Sequence, residues 1–322
     1  TSFDSAALLK AIGLADGEGR VRASMRGKYD QVNEFLKVVG ETVGGNNRIA
    51  ESPNDRMAEA AAGEKSFTVV DCGCGKAYLT ISLWFYLTSV LKIPNVRVIG
   101  IDRRPDVIAA AQKMAAQLDL AAKVVFVEAD LADIDLANLA SHPNLPNLTN
   151  HPTLPNLSRI DMVVSLHACD TATDEALAKG VEWKAKYILS APCCQHELQK
   201  DLGNNRIAES PNDRMGRAGS DCRSDFAGLL RQSILRERLC DILTDSFRAM
   251  ILRILGFKTQ VIEFVSSEAT ARNILLKCEY GVKPGQPGPV GEYLNLRDYW
   301  HVMPWLETRL EKSLSKYFQR YE

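Results

Sequence analysis

A short glycine-containing stretch, residues 69–78, carries the residues best placed for chemistry, and it reads Val-Val-Asp-Cys-Gly-Cys-Gly-Lys-Ala-Tyr. A β-branched run leads into Gly73 and Gly75, and an apolar helical run follows them. Glycine leaves room for a ligand to approach the backbone, and the start of a helix offers free N–H groups. Dinucleotide-binding turns have a third glycine, which is absent here, whereas Asp71 precedes Gly73 by two positions. We therefore predict a ligand that lacks a pyrophosphate and presents a cationic amino group to Asp71.

Acids also follow the next two predicted strands. Asp102 ends the strand at residues 96–102, where a carboxylate can accept hydrogen bonds from both hydroxyls of a ribose. Asp130 and Leu131 follow the strand at residues 123–128, where a carboxylate can accept from an adenine amino group. Acids at the carboxyl ends of three successive strands favour a ligand site over sheet packing. The amino group, ribose and adenine that these acids suit are all parts of S-adenosylmethionine.

A sheet with helices around it must position these residues. Seven short apolar runs rich in Val and Ile predict strands at residues 67–71, 96–102, 123–128, 160–166, 186–191, 259–265 and 273–278. Helical patterns lie between most of them, at residues 77–91, 105–118, 172–179 and 231–255. Apolar strands separated by helices predict a doubly wound, mostly parallel α/β sheet. The last two strands have no helix between them, which predicts an antiparallel hairpin at one edge.

Helical segments and polar inserts surround this core. A helix is predicted over residues 28–39, and a C-terminal apolar helix face is formed by Leu306, Leu310, Leu314 and Phe318. Residues 45–57 recur letter for letter at 203–215, and residues 142–158 hold a tandem Pro- and Asn-rich repeat. Such composition opposes helix and strand, so we predict inserted surface loops. We divide the chain into an N-terminal helical extension with an inserted loop (1–65), a core (66–280, with inserts at about 141–158 and 203–224) and a C-terminal helical extension (281–322).

Several motifs resemble those of a known family. The string DCGCGKAYLT from Asp71, the acid Asp102 and the string EADL from Glu128 resemble motifs one to three of the class I S-adenosylmethionine-dependent methyltransferases. The strings LHACDTATD from Leu166, APCCQH from Ala191 and KYDQVNEF from residue 28 are similar to the branch that contains the eukaryotic acceptor-stem tRNA 2′-O-methyltransferases and related methyltransferase-like proteins. The resemblance covers roughly residues 26–279 apart from the inserts. Ala77 replaces the usual third glycine, and no Cys or His precedes Asp71, where the tRNA enzymes carry zinc-binding modules.

The resemblance implies a seven-stranded Rossmann-like methyltransferase sheet, mostly parallel, with one antiparallel edge strand. It implies that Asp71, Gly73 and Gly75 surround the methionine moiety of the cofactor, and that Asp102 binds its ribose. Asp130 and the Leu131 backbone would bind the adenine. The methyl acceptor would lie over the ends of the fourth and fifth strands, at residues 166–170 and 191–196.

Cysteines and histidines also concentrate at this predicted edge: Cys72, Cys74, Cys169, Cys193, Cys194, His167 and His196. The cysteines could fill tight turns, act in catalysis, or hold a metal or cluster. We predict no metal, because the Cys-x-x-Cys spacing is missing. The candidate catalytic residues are His167, Asp170, Cys193, Cys194 and His196. Asp170 could equally cap the helix that begins near Ala172.

The nature of the acceptor stays open between three interpretations. A hydroxyl acceptor needs deprotonation and alignment, for which His167, Asp170 and His196 are available, and 2′-O transfer to tRNA or another structured RNA is the leading hypothesis. A base carbon needs a thiolate nucleophile, which Cys193 or Cys194 could supply. A non-catalytic methyltransferase-fold protein that binds a ligand or holds a metal is the third. The Asn/Asp-Pro-Pro-aromatic run of exocyclic-amine methyltransferases is absent after the fourth strand.

Charge gives little global attraction for RNA, because 39 basic residues stand against 40 acidic ones, a net charge of −1. Two local basic stretches remain: Arg20, Arg22, Arg26 and Lys28 near the start, and Arg231, Arg236, Arg238, Arg248 and Arg253 on the long helix. We predict RNA contacts by Lys28, Arg236 and Arg238, although a solvated helix face would look the same. No run suits a signal peptide or membrane span, so we expect a cytoplasmic enzyme with reduced thiols and no obligate protein partner.

Overall fold

The computed structural model describes residues 5–44, 66–135, 160–166, 168, 170–193, 195, 198–199, 202, 226–266 and 273–320. The predicted inserts at 45–57, 142–158 and 203–224 lie outside the described residues. So do four cysteines and histidines of the predicted edge, which are His167, Cys169, Cys194 and His196.

Seven strands form a single mixed sheet: β1 (Phe67–Cys72), β2 (Val96–Asp102), β3 (Val124–Glu128), β4 (Met162–Ser165), β5 (Tyr187–Ser190), β6 (Phe257–Glu263) and β7 (Ile274–Tyr280). Their order across the sheet is β3-β2-β1-β4-β5-β7-β6. Strands β1 to β5 pair in parallel, and β7 runs antiparallel to both β5 and β6. The predicted Rossmann-like sheet, with its antiparallel hairpin at one edge, is confirmed.

The helices cover both faces of the sheet: α1 (Ser5–Ala11), α2 (Arg26–Gly44), α3 (Tyr78–Phe85), α4 (Pro105–Gln117), α5 (Thr171–Glu182), α6 (Ala227–Leu230), α7 (Ser233–Ile254), α8 (Pro287–Trp300), α9 (Trp305–Arg309) and α10 (Glu311–Phe318). Helices α1 to α4 share one hydrophobic core, and α5 and α7 to α10 share the other. Alternate strand residues serve the two cores, as Val70 and Val69 of β1 do. Burial on both faces explains the near-continuous apolar runs of β1 to β5, whereas the edge strand β6 is mostly exposed and more polar.

Several predicted helices differ in detail from the observed ones. The helix predicted at 77–91 is α-helical only over α3 and continues as a π-helical segment, Tyr86–Val90. The predicted apolar face of the C-terminal helix is buried in the core. The backbone departs from helical geometry at Leu310, so this face is divided between two helices, α9 and α10. Helix α7 ends just before Gly256, whose φ of +98° suits glycine. Among the helices described, none has the length and apolar character that a membrane span requires.

Candidate active site

The turn after β1 is shaped by its two glycines. Gly73 and Gly75 adopt left-handed conformations, with φ of +76° and +51°. The N–H groups of Gly73 and Cys74 donate to the Ile101 carbonyl at 2.8 and 2.9 Å. A Cβ on Gly73 would lie 3.5 Å from the Cβ of Ala168, so the loop after β4 packs against this turn. The turn therefore has a left-handed backbone that glycine adopts without strain, and it packs against the loop after β4.

Ala77 stands where the resembled family usually has its third glycine, and it keeps the backbone shape of a glycine. Its φ is +61° and ψ +15°, directly before α3, and its side chain is fully buried. A left-handed conformation costs a residue with a Cβ roughly 1–2 kcal/mol. The chain has thus kept the geometry of the turn at some cost in backbone strain.

Asp71 is a buried carboxylate that accepts a side-chain hydrogen bond from a neighbouring helix. It is 1% exposed and accepts a hydrogen bond from Thr80 Oγ1 of α3 at 2.6 Å. Burial raises its pKa to about 7, and the charge of Asp102 adds to this, while the hydrogen bond from Thr80 opposes it. Within the described part of the chain, no basic side chain forms an ion pair with Asp71. The position therefore favours the arrival of a cationic group.

Asp102, at the end of neighbouring β2, has the opposite environment. Its Oδ2 accepts from the N–H of Gly75 at 3.0 Å and from Arg104 Nη2 at 3.1 Å. Its Oδ1 accepts from the N–H and the Nε of Arg104, at 3.1 and 3.0 Å. Burial works to raise the pKa of Asp102, but these hydrogen bonds outweigh it and lower the pKa below its ordinary value. Asp102 is thus an ionised acceptor placed beside the glycine turn.

The turn after β3 continues the same edge. The N–H of Ala129 donates to the Asp102 carbonyl at 3.2 Å, which ties the ends of β2 and β3 together. Asp130 is exposed and accepts from the N–H of Ala132 at 3.0 Å, a local turn bond. Leu131 packs into the core. The three predicted cofactor acids therefore lie at the carboxyl ends of adjacent strands, with Asp71 in β1, Asp102 as the last residue of β2 and Asp130 just after β3.

Beyond β1 on the other side, the loops after β4 and β5 meet the start of α2. The Cys193 thiol donates to the Ala168 carbonyl at 3.8 Å. Lys28 is half-buried; burial lowers the pKa of its amine, and the nearby Cys193 opposes that shift. The structure thus brings Lys28 and Cys193, predicted as substrate-binding and catalytic residues, to one place.

Cys72 and Cys74 are both buried beside the glycine turn. Burial raises the pKa of each thiol, so both stay protonated at neutral pH. This environment fits the interpretation that they fill tight space in the turn, and it does not suit a nucleophile or a thiolate ligand. Where the chain is described, no three His, Cys, Asp or Glu residues are grouped as a metal site.

Asp170 stands at the N-cap position of α5 but does not act as a side-chain cap. The cap position carries no side-chain hydrogen bond to the helix, and its backbone has an unusual φ of +54° and ψ of −125°. The Asp170 carbonyl accepts from the N–H of Thr173 at 3.0 Å and from Arg248 Nη2 at 3.2 Å. Strained backbone of this kind costs about 1–3 kcal/mol and is held only where surrounding contacts enforce it. The capping interpretation is therefore wrong, and the backbone contacts hold Asp170 in place.

Arg248 corrects the prediction of an exposed basic face on the long helix. Its side chain is 1% exposed and lies between the carboxylates of Asp174, at 2.6 and 2.8 Å, and Asp245, at 3.1 Å. Gln195 Nε2, in the loop after β5, donates to Asp245 at 2.9 Å. Burial opposes the charge on Arg248, but the two carboxylates outweigh it and raise the pKa of the guanidinium. Burial also raises the pKa of Asp245 to about 6, opposed by Arg248 and Gln195.

This network joins the loops after β4 and β5 to α7, and the sequence interpretation missed it. The available signal was Arg248 on the apolar stripe formed by Phe247, Ile251 and Leu252, three positions after Asp245. An arginine on a buried helix face needs acidic partners, which a distant segment must provide. Asp174 is that partner.

The other arginines of the two basic stretches differ in their ion pairs and in their exposure. Arg20 pairs with Asp16 and Glu18, and Arg26 pairs with Asp30, so acids outside the N-terminal basic stretch offset its charge. On α7, Arg236 is half-buried, with Nη1 3.3 Å from the Leu230 carbonyl, and Arg238 is exposed. Helix α7 ends where β6 begins, so its start lies toward the carboxyl ends of β1 to β5, and Ile234 and Leu235 there are exposed. At 1.5 Å per residue, these two arginines lie about 15–18 Å along the helix from Arg248.

A family model described as a methyltransferase domain matches residues 27–201, which is more than half of the chain. A search of curated protein sequences found no match. Among solved structures, the chain is similar to a putative rRNA methylase from Clostridium thermocellum, with 15% identity, 73% of this chain and 98% of that chain covered, and a TM-score of 0.35.

Two other solved structures show the same kind of similarity. A methyltransferase from Podospora anserina, bound to S-adenosylhomocysteine, has 9% identity, covers 78% of this chain and 88% of its own, and has a TM-score of 0.36. A TehB-like S-adenosylmethionine-dependent methyltransferase from Corynebacterium glutamicum has 14% identity and a TM-score of 0.31. The match covers 80% of this chain and 100% of that chain. From the family match and the order of its strands, the chain belongs to the methyltransferase-domain family and is a class I methyltransferase.

Proposed function

We propose that this methyltransferase uses S-adenosylmethionine and methylates RNA. Asp71 is the observation that carries the cofactor assignment. It is a buried carboxylate beside a glycine turn, and no basic side chain in the described ranges pairs with it. S-adenosylmethionine, when bound, supplies a methyl group made electrophilic by its attachment to a sulfonium.

The described residues fit this cofactor in both chemistry and order. Asp71 would hold the cationic amino group, and Gly73 and Gly75 leave space for the methionine moiety. Asp102 would accept the ribose hydroxyls, while Asp130 and the Leu131 N–H would bind the adenine. Strands β1, β2 and β3 are neighbours about 4.8 Å apart, so the three acids lie in a row in the same order as the amino group, ribose and adenine of the ligand.

The acceptor would lie on the other side of β1, over the ends of β4 and β5. There Lys28 would contact a phosphate, and Arg236 and Arg238 would contact the RNA backbone further out. Asp170, His167 and His196 are the groups that could take a proton from a ribose hydroxyl. We favour 2′-O transfer to tRNA or another structured RNA.

One observation favours a second candidate function, methylation of a base carbon. Cys193 is partly exposed and interacts with the positively charged Lys28. A neighbouring cation stabilises a thiolate, and a thiolate is the nucleophile that this chemistry needs. Cys194 would be the alternative nucleophile.

Cofactor binding and methyl transfer test these proposals in turn. Calorimetry should show S-adenosylmethionine binding by the wild type and by Glu292→Gln, an exposed carboxylate on α8, and much weaker binding by Asp71→Asn and Asp102→Asn. Absence of wild-type binding would overturn the proposed function. Transfer of labelled methyl to cellular RNA, followed by mass spectrometry of nucleosides, identifies the methylated atom. If the product is a 2′-O-methyl nucleoside, Cys193→Ser and Cys194→Ser should both keep the methyl-transfer activity. If the product is methylated on a base carbon, the variant that lacks the nucleophile should lose the activity.

A further inference from the structure

Arg104 places its guanidinium inside the region assigned to the cofactor ribose. It follows β2 by two positions, and its Nε and Nη2 donate to the two oxygens of Asp102 at 3.0 and 3.1 Å. Nη2 also lies 3.7 Å from the position that a Cβ on Gly75 would take. The side chain therefore covers the junction of the glycine turn and the ribose carboxylate.

All of the acceptor capacity of Asp102 is used in this arrangement. A carboxylate offers about four lone-pair sites. Two of them receive backbone N–H groups, from Gly75 and Arg104, which the fold holds in place. The other two receive the Arg104 side chain. A ribose that binds Asp102 through its hydroxyls must therefore displace the guanidinium.

Displacement is physically accessible because the two partners differ in exposure. The Arg104 side chain is 57% exposed, whereas that of Asp102 is 8% exposed. The arginine can turn into solvent without opening the core, while the carboxylate stays where it is. Because the guanidinium faces solvent, salt screens this ion pair more than it would screen a fully buried one.

We propose that Arg104 competes with the ribose for the Asp102 carboxylate, so that it holds the carboxylate in position before the nucleoside arrives and lowers the affinity of the protein for its cofactor. This inference rests on the proposed use of S-adenosylmethionine. It makes Arg104 a positioning residue whose removal improves binding, the opposite of the effect of removing Asp102.

The test is calorimetric binding of S-adenosylhomocysteine, which carries no net charge, so that removing an arginine does not change a long-range attraction. Arg104→Met should bind about two- to fivefold more tightly than the wild type, because the ion pair between Arg104 and Asp102 no longer has to be broken. Arg104→Lys, which keeps the charge but loses the paired donors, should lie between them. Arg253→Met is the matched control, since it removes another solvent-exposed, ion-paired arginine, whose partner, Glu292, lies on α8.

A second readout is ionic strength. Wild-type affinity should rise as salt increases from about 50 to 500 mM, because screening weakens the competitor, and Arg104→Met should not show this rise. The wild type and Arg253→Met should bind S-adenosylhomocysteine with the same affinity. If Arg104→Met then binds it no more tightly than the wild type does, the competition is overturned and the cofactor assignment stands. If the wild type does not bind at all, both are overturned.

Discussion

Two regions at the carboxyl edge bury carboxylates in different ways. On the α3 side of the sheet, Asp71 has a hydroxyl donor from Thr80, and burial raises its pKa to about 7. On the α5 and α7 side, Asp174 and Asp245 enclose the guanidinium of Arg248. The first region leaves a buried negative charge without a cation among the described residues, and the second provides the cation. Asp71 is therefore the buried acid available to a ligand, whereas Asp174 and Asp245 hold the structure together through Arg248.

Asp71 and Asp102, at the ends of neighbouring strands, respond to pH in opposite ways. Asp71 ionises in the unfolded chain near its ordinary pKa of 3.8 and in the folded protein at about 7. Between these values the folded state binds the extra proton, so ionising Asp71 reduces stability as the pH rises from about 4 to 7. Asp102 has a lowered pKa, so its contribution to stability is present above its unfolded pKa and is lost as the pH falls through its folded pKa.

The largest expected effect comes from removing the cation of the second region. Arg248→Met should lower the free energy of unfolding by about 3–5 kcal/mol, because it leaves two buried carboxylates without their partner. Urea denaturation followed by circular dichroism measures this. Arg253→Met, on the same helix but in an exposed ion pair, should cost less than about 1 kcal/mol. Equal, small losses in the two variants would show that the buried network does not stabilise the fold.

The next effect separates the two regions directly. Asp71→Asn should raise the free energy of unfolding at pH 8 by about 1–4 kcal/mol, since it removes a buried charge, while cofactor affinity falls by about 30-fold or more. Asp174→Asn should instead lower stability by about 3 kcal/mol. Thermal unfolding and calorimetry measure both quantities. A destabilised Asp71→Asn protein that binds as well as the wild type would contradict the assignment of Asp71 to the ligand.

Binding should also depend on pH through Asp71. Protonation removes the charge that would hold the amino group, so affinity for S-adenosylhomocysteine should fall about tenfold for each pH unit below about 7. Above pH 7 the affinity should be nearly constant until the amino group of the ligand titrates. Calorimetry between pH 5.5 and 8 measures the profile, and Asp71→Asn should make it flat. A wild-type profile without this decline would place the binding charge elsewhere.

The smallest effect contrasts two arginines of α7. Arg238→Gln should weaken RNA binding by only a few-fold and reduce the slope of log affinity against log salt by about 0.7–0.9, as expected for one phosphate contact. Its stability should not change, because Arg238 is exposed. Filter binding over a range of salt concentrations measures the slope, and Arg253→Gln, near the other end of the helix, is the control. An unchanged slope in Arg238→Gln would remove this residue from the RNA surface.

The glycine turn and the acids after β1, β2 and β3 could be located from sequence because their signals are local. A β-branched run followed by Gly73 and Gly75 specifies a strand and a turn within ten residues. Parallel strands then bring their carboxyl ends to one edge, so the proximity of Asp71 and Asp102 follows from the topology. The roles of these residues toward a cofactor stay predictions.

Other features depended on segments far apart in the chain. Asp174 is 74 residues from Arg248, and Gln195 is 50 residues from Asp245, so no local pattern joins them. The alternation of strands and helices and the acids at the strand ends follow from the amino-acid sequence, because periodicity and turn chemistry act over a few residues. The burial of Arg248 and the approach of Lys28 to Cys193 follow instead from the tertiary structure. The sequence shows that Arg248 and Lys28 carry a charge, but their partners and their exposure are set by packing between distant elements.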